Sequence, residues 1–272
     1  IYLSEGNHRK VIENLSWAKR CKADGKSSNF IKLELIKYFY ENNLFNYLEK
    51  YLTKFSKNKE LLPSLLYYLE QLSMNLWRIG RFEKSNIVKK KIVKSYRDLS
   101  SKGIPIPLEG LNSVSKILKK GLDVQVKNFE KLKLRFPEDT FNRVLKAKLK
   151  MLDSITSSSI NLMKIGSSDG IVIGYYTLIK VYNRFIRQIE GFKPSGKSIE
   201  YIDSFKDSMN KLRVPLIRKA SDFELEARSK ILNNNILAEG NYKILISPKM
   251  NLLNLKYYPL KDGILMDRRG RN

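Results

Sequence analysis

Apolar residues recur along most of this chain at the three- and four-residue spacing of an amphipathic helix. The alternating pattern that is typical of strands is almost absent before residue 240. Because the spacing of apolar residues decides which element can bury them on one face, this periodicity predicts an all-α fold. Two examples of such rows are Leu65, Leu66, Leu69, Leu72 and Leu76, and Phe205, Met209, Leu212 and Leu216.

A turn signal recurs three times in the first hundred residues, at Gly6-Asn7, Asn42-Asn43 and Gly80-Arg81. The segment from Leu72 to Ser85, read around Gly80-Arg81-Phe82, resembles the tetratricopeptide repeat, a helix–turn–helix unit of about 34 residues. The distance between successive turn signals in this chain is longer than that unit of about 34 residues. The register pairs Tyr47 with Ser85, where the family usually has a small residue. The resemblance implies stacked helix pairs that expose a long binding surface.

The chain divides into four predicted segments, and the helical ones form a solenoid of antiparallel helical hairpins. We expect more chain to precede Ile1, because Tyr2 would lie near the end of a truncated first helix. The connector is extended because it contains Pro105 and Pro107. The segments are tetratricopeptide-like repeats at 1–98, the connector at 99–110, a helical-hairpin array at 111–240 and a short, irregular, extended C-terminal segment at 241–272.

Local signals predict where the later helices begin and end. Pro215, like Pro63, suits the first turn of a helix. The run from Tyr242 to Ser247 is typical of a strand, and Trp77 is typical of a packing residue. The predicted helices of the array lie at 111–120, 122–135, 138–153, 155–165, 169–190, 198–212 and 215–235.

The second half resembles, in short motifs, large helical-repeat proteins of the cell envelope in predatory and gliding bacteria. The motifs are Gly166-Ser-Ser-Asp-Gly170, Tyr182-Asn-Arg-Phe185 and the row Met209, Leu212, Pro215-Leu216 and Ala220. The resemblance implies a part in a surface or motility machine. It implies a location in the bacterial periplasm or cell envelope, with the cytoplasm as the alternative.

The charge is strongly unbalanced, with 52 Lys plus Arg against 27 Asp plus Glu and a net charge of +25. Such an excess attracts polyanions. Codon usage that favours lysine is the alternative explanation. If the charge serves binding, the partner is an acidic protein, a nucleic acid or an anionic envelope polymer. The candidate contact residues are Lys89, Lys90, Lys91, Lys94, Lys119, Lys120, Tyr40 and Tyr47.

Cysteine and histidine occur once each, as Cys21 and His8. One cysteine excludes an internal disulfide and a thiolate-built metal site, and one histidine excludes a dyad that needs two. The longest apolar run, at 171–179, is too short for a membrane span. We therefore expect no cofactor, no metal site, no transmembrane segment and no enzymatic activity.

The segment Gly191–Ser198 matches the phosphate-loop pattern G-x-x-x-x-G-K-S in its letters. A phosphate loop follows a buried strand, whereas Val181, Phe185 and Ile189 have helical spacing. We interpret the segment as an interhelix turn in which Ser198 caps the next helix. Glycines spaced by four at Gly166, Gly170 and Gly174 predict close packing between helices.

The sequence thus favours a non-enzymatic scaffold or adaptor that binds partner proteins through a helical-repeat surface. The main alternative is a helical-repeat protein that binds nucleic acid with its basic faces. A nucleotide hydrolase is a third hypothesis, and it depends on the single loop match.

Overall fold

The structure, a computed structural model, describes residues 10–14, 25–194, 196–238 and 240–245. The described residues contain no strand, so the predicted all-α class is confirmed. A helical segment at 10–14 comes first. The helices that follow are α1 (Gly25–Glu41), α2 (Phe45–Phe55), α3 (Leu62–Arg78), α4 (Phe82–Ser101), α5 (Leu108–Lys131), α6 (Glu138–Met163), α7 (Ser168–Glu190), α8 (Ile199–Asn233) and the short α9 (Tyr242–Leu245).

Each helix from α1 to α8 packs against the next one along the chain. In addition, α1 packs against α3, α3 against α5, and α5 against α7. One hydrophobic cluster extends through these contacts from Val11 to Ala220. A second cluster joins α7, α8 and α9 around Val172, Ala227 and Ile244. The odd-numbered helices therefore share one core with their even-numbered neighbours.

The helices α1 and α3 end in the same kind of turn. Asn43 and Gly80 both have left-handed backbones, with φ of 56° and 79°. The next N–H in each case, from Leu44 or Arg81, donates 2.8 Å back into the helix to the carbonyl of Phe39 or Leu76. This is the hydrogen bond that satisfies a free carbonyl at a helix end.

The shared turn corrects the predicted register of the repeats by one residue. It pairs Asn43 with Gly80, so that Leu48 rather than Tyr47 corresponds to Ser85. Leu48 and Ser85 are both completely buried, whereas Tyr47 is 45% exposed and stacks on Phe39. The first turn signal, at Gly6, lies outside the described residues.

Several predicted helix breaks are wrong, because α5, α6 and α8 run unbroken through 121, 154 and 213–214. Pro215 lies inside α8 instead of in a first turn. A proline there removes one main-chain hydrogen bond, normally to the carbonyl of Lys211. Both Pro215 and Lys211 are exposed, so water can hydrogen-bond that carbonyl.

Three other local predictions need correction. The strand predicted at Tyr242 is a helix over Tyr242–Leu245, because Ile244 and Leu245 are buried against α7 and α8. Trp77 is exposed in the last turn of α3, where its ring contacts Phe82 instead of the core. Only residues 102–107 of the predicted connector lie outside helices. Residues 246–272 and the predictions for Tyr2, His8, Trp17 and Cys21 lie outside the described part.

Small residues let α7 approach α6 closely, as predicted for Gly170 and Gly174. Gly166 instead has a left-handed backbone, with φ of 82°, in the turn before α7, and a β-carbon there would meet no atom within 4 Å. A β-carbon on Gly174 would lie 3.0 Å from the carbonyl oxygen of Ser159 and 2.4 Å from Cγ of Met163. Serine side chains cap two helix starts, and the cap predicted at Ser198 is one of them. The Ser167 hydroxyl accepts a hydrogen bond from the Gly170 N–H, and the Ser198 hydroxyl accepts one from the Tyr201 N–H.

Candidate functional site: a basic groove between α4 and α5

A groove of about 470 Å³ opens between α4 and α5. Its wall on α4 repeats every three or four residues, which places the side chains on one face of that helix. Ile117 of α5 completes the lining, and together with Val93 it gives the groove an apolar floor. The α4 residues are Asn86, Lys89, Lys90, Val93, Lys94 and Arg97.

The cations of this groove have no carboxylate partner within ion-pair distance among the described residues. Lys89 is close enough to Lys120 of α5 for the two charges to repel. Burial first, and Lys120 second, lowers the pKa of Lys89. An anion that enters the groove would relieve this repulsion, so the charge arrangement favours an anionic ligand.

One buried carboxyl group interacts with lysines at and beside the groove. Glu70 of α3 is only 4% exposed and accepts a hydrogen bond from Nε2 of Gln71 at 2.8 Å. Burial raises its pKa, while Lys116, Lys120 and Lys89 act in the opposite direction. Glu70 therefore places one buried acid among the lysines of α4 and α5.

The structure brings together some of the predicted contact residues and separates others. Lys89, Lys90 and Lys94 line the groove, and Lys120 interacts electrostatically with Lys89. Lys119 is exposed on α5 but does not line the groove. Lys91 has another environment, with its Nζ 2.6 Å from Oγ of Ser56 at the end of α2. Burial, and then Lys57, lowers the pKa of Lys91.

The predicted tyrosines lie elsewhere. Tyr40 lines a separate cavity of about 330 Å³ near the end of α1, and no residue lines both cavities. Its hydroxyl donates to Oε1 of Gln71 at 3.3 Å and accepts from the hydroxyl of Tyr67. The hydrogen bond between Tyr67 and Tyr40 is the main cause that raises the pKa of Tyr67 to about 12. Tyr40 is thus held in a polar network, and Tyr47 lies on α2.

Sequence reasoning missed the apolar floor and the buried acid. Val93 and Ile117 were not among the predicted contacts, and Arg97 of α4 was also left out. The spacing of Asn86, Lys90, Val93 and Arg97 along one helical face was the available signal. Glu70 gave no signal, because nothing in the sequence of α3 indicates that lysines of α4 and α5 would lie near it.

The phosphate-loop letters fall between two helices. The segment that begins at Gly191 follows α7 and precedes α8, so the strand that a phosphate loop requires is missing from the described residues there. Lys197 lies over the ring of Tyr201, with its Nζ 5.1 Å from the centroid. The predicted interhelix turn is therefore confirmed.

The described part of the chain has no group of three or more His, Cys, Asp or Glu residues placed to hold a metal ion. Among its helices none is both long and apolar enough to span a bilayer. Comparison with protein-family models, curated proteins and solved structures yields no match to this chain.

Proposed function

We propose that this chain is a non-enzymatic helical-repeat scaffold that binds an acidic segment of a partner protein in the groove between α4 and α5. The observation that carries the proposal is the set of cations at Lys89, Lys90, Lys94 and Arg97, which surround an apolar floor without an ion-pair partner among the described residues. Complementary charge steers an acidic ligand to such a surface and fixes its orientation.

The lining of the groove favours a peptide over a nucleic acid. Val93 and Ile117 offer apolar contact that leucine or valine side chains of an amphipathic segment match. Single-stranded nucleic acid is usually held by stacking of bases on aromatic rings, and no aromatic residue lines this groove. Of its four cations only Arg97 has the planar fork that phosphates and base edges prefer.

The packing order supports the wider proposal of a solenoid of helix pairs. The odd-numbered helices form a continuous row, because α1 contacts α3, α3 contacts α5, and α5 contacts α7. Each even-numbered helix between them packs against its neighbours along the chain. A row of this kind grows by adding pairs, and it exposes an extended surface for partners. The α4–α5 groove lies where one pair meets the next.

Peptide binding with a matched charge control tests the proposal. A fluorescent peptide of glutamates and leucines is titrated with the chain, and anisotropy is recorded at increasing salt. We expect Lys90→Glu/Lys94→Glu to weaken binding at least about tenfold at low salt, because it reverses two groove charges. The control, Lys146→Glu/Lys150→Glu, reverses two exposed lysines at the same spacing on α6 and should preserve most of the binding.

Two outcomes would contradict the proposal. If both double variants weaken binding equally, the peptide responds only to net charge and the groove is not a site. If an oligothymidylate of equal charge binds more tightly than the peptide and loses its affinity in Lys90→Glu/Lys94→Glu, then the groove binds nucleic acid. Circular dichroism of each variant confirms that the helices are retained.

A further inference from the structure

The turn between α3 and α4 exposes three large apolar side chains. Trp77 is 57% exposed, Ile79 56% and Phe82 53%. The rings of Trp77 and Phe82 contact each other edge to face, with centroids 5.8 Å apart. Large apolar groups clustered on a surface generally mark an interaction site. In the register that pairs Asn43 with Gly80, Tyr40 and Phe45 correspond to Trp77 and Phe82 but are half-buried, and Asn42 stands in place of Ile79.

The shape of this turn suits a flat partner. Every residue from 77 to 84 is exposed. A β-carbon on Gly80, at its centre, would meet no atom within 4 Å. The apolar side chains of the turn therefore project from the protein. They line neither the groove nor the cavity near Tyr40, although Arg78 forms part of the wall of that cavity.

The charges around the turn alternate with the apolar groups. Arg78 and Arg81 are exposed and flank Ile79 on either side. Lys84 adds a third cation, paired at 3.5 Å with Glu49 of α2, and Glu83 contributes one negative charge. Aromatic rings beside cationic side chains are the composition that places a surface at the headgroup level of an anionic bilayer.

We propose that residues 77–82 form a membrane-docking turn, which inserts Trp77, Ile79 and Phe82 into the headgroup region of an anionic lipid bilayer. Arg78 and Arg81 bind lipid phosphates, and the net charge of +25 draws the chain to the surface. The apolar side chains then supply the short-range affinity. This surface is distinct from the groove of α4 and α5, so it does not depend on the proposed peptide binding.

Tryptophan fluorescence gives a direct test, because the chain has two tryptophans. In a Trp17→Phe background Trp77 is the only tryptophan, and excitation at a wavelength that tyrosine does not absorb isolates its emission. We expect its emission to shift to the blue with vesicles of phosphatidylcholine and phosphatidylglycerol, and to be quenched by lipids brominated on their acyl chains. Vesicles of phosphatidylcholine alone should produce a much smaller change, since the electrostatic attraction is then missing.

Co-sedimentation of the full chain with the same vesicles tests the residues. We expect Trp77→Ser/Phe82→Ser to lower partitioning by about tenfold or more, because the buried apolar area is lost. The control Phe30→Ser removes one exposed phenylalanine from α1 and should leave partitioning unchanged. All substituted side chains are exposed, and melting curves check that the variants remain folded.

Three results would overturn the proposal. Binding to anionic vesicles without any change in Trp77 emission would show diffuse electrostatic attraction that leaves the turn in water. A blue shift that grows with protein concentration in the absence of vesicles would show that a second copy covers the turn. Equal partitioning of the double serine variant and the parent chain would show that the apolar side chains do not insert.

Discussion

The ammonium of Lys148 lies 2.9 Å from the main-chain carbonyl oxygen of Phe129 and 3.9 Å from the centroid of the Phe129 ring. Phe129 is in the last turn of α5, where carbonyls have no helical N–H to accept from. Lys148 is completely buried on α6. A charged side chain at the apolar positions of a helix thus supplies the C-terminal hydrogen bond of its neighbour.

Replacement of Lys148 should lower stability. We expect Lys148→Ala to reduce the free energy of unfolding by about 2–4 kcal/mol, because it leaves a cavity and an unpaired buried carbonyl. Lys148→Met refills the space and should cost less. Urea denaturation measures both, with Lys150→Met as the control for an exposed lysine on the same helix. An unchanged midpoint in Lys148→Ala would mean that Lys148 reaches solvent.

The same residue predicts a pH dependence. Burial lowers the pKa of Lys148 from 10.5 to about 8. Between these two values the unfolded chain binds more protons than the folded chain, so the contribution of Lys148 makes stability rise with pH. We expect the stability of the parent chain relative to Lys148→Met to increase from about pH 8 to about pH 10.5. If the free energies of unfolding of the two proteins change in parallel with pH over this range, then Lys148 does not titrate as a buried group.

Two glycines in helices should respond oppositely to alanine. Gly174→Ala should cost about 1–3 kcal/mol, because its β-carbon would overlap Met163 and crowd the carbonyl of Ser159. Gly121→Ala, in the exposed middle of α5, meets no atom within 4 Å and should gain up to about 1 kcal/mol of helix propensity. Thermal melting of both variants is the measurement. Similar effects at the two sites would mean that α6 and α7 are not in close contact.

The periodic parts of the fold could be predicted from sequence, because burial of an apolar stripe dictates a helix. The breaks within α5, α6 and α8 were wrong for a physical reason. A local signal such as Pro215 is weak when the exposed face of a helix lets water replace the lost hydrogen bond. Tertiary packing then decides whether the helix continues.

The candidate site was only partly predictable. The lysines of α4 clearly indicated a basic surface in the sequence. The surroundings of each side chain, however, depend on the neighbouring helices, and Lys91 contacts Ser56 away from the groove. Lys148 occupies an apolar position of α6, but its partner is a main-chain carbonyl on another helix and could not be identified from the sequence. Such long-range pairings carry no sequence motif.

Gly80 should be sensitive to a β-branched residue. Its φ of 79° is unfavourable for any side chain, and most of all for valine, while no neighbouring atom limits the space. We expect Gly80→Val to cost about 1–2 kcal/mol and Gly80→Asn distinctly less, since asparagine tolerates this backbone and occupies it at position 43. Melting temperatures compare the two variants. Equal losses of stability in the two variants would indicate that the size of the side chain at position 80, rather than its backbone conformation, determines the cost.

Glu70 connects the stability of the chain with the charge of its groove. Its pKa is raised mainly by burial, so the folded state favours the protonated acid. The carboxylate therefore lowers stability as pH rises through the folded-state pKa, and Glu70→Gln should remove that loss. At neutral pH we expect this variant to be at least as stable as the parent chain. It should also bind the acidic peptide more tightly, because the negative charge that interacts with Lys89, Lys116 and Lys120 is gone. Anisotropy titrations and urea denaturation measure the two effects on the same sample. Weaker peptide binding by a fully folded Glu70→Gln would show that the carboxylate holds those lysines in place for the ligand.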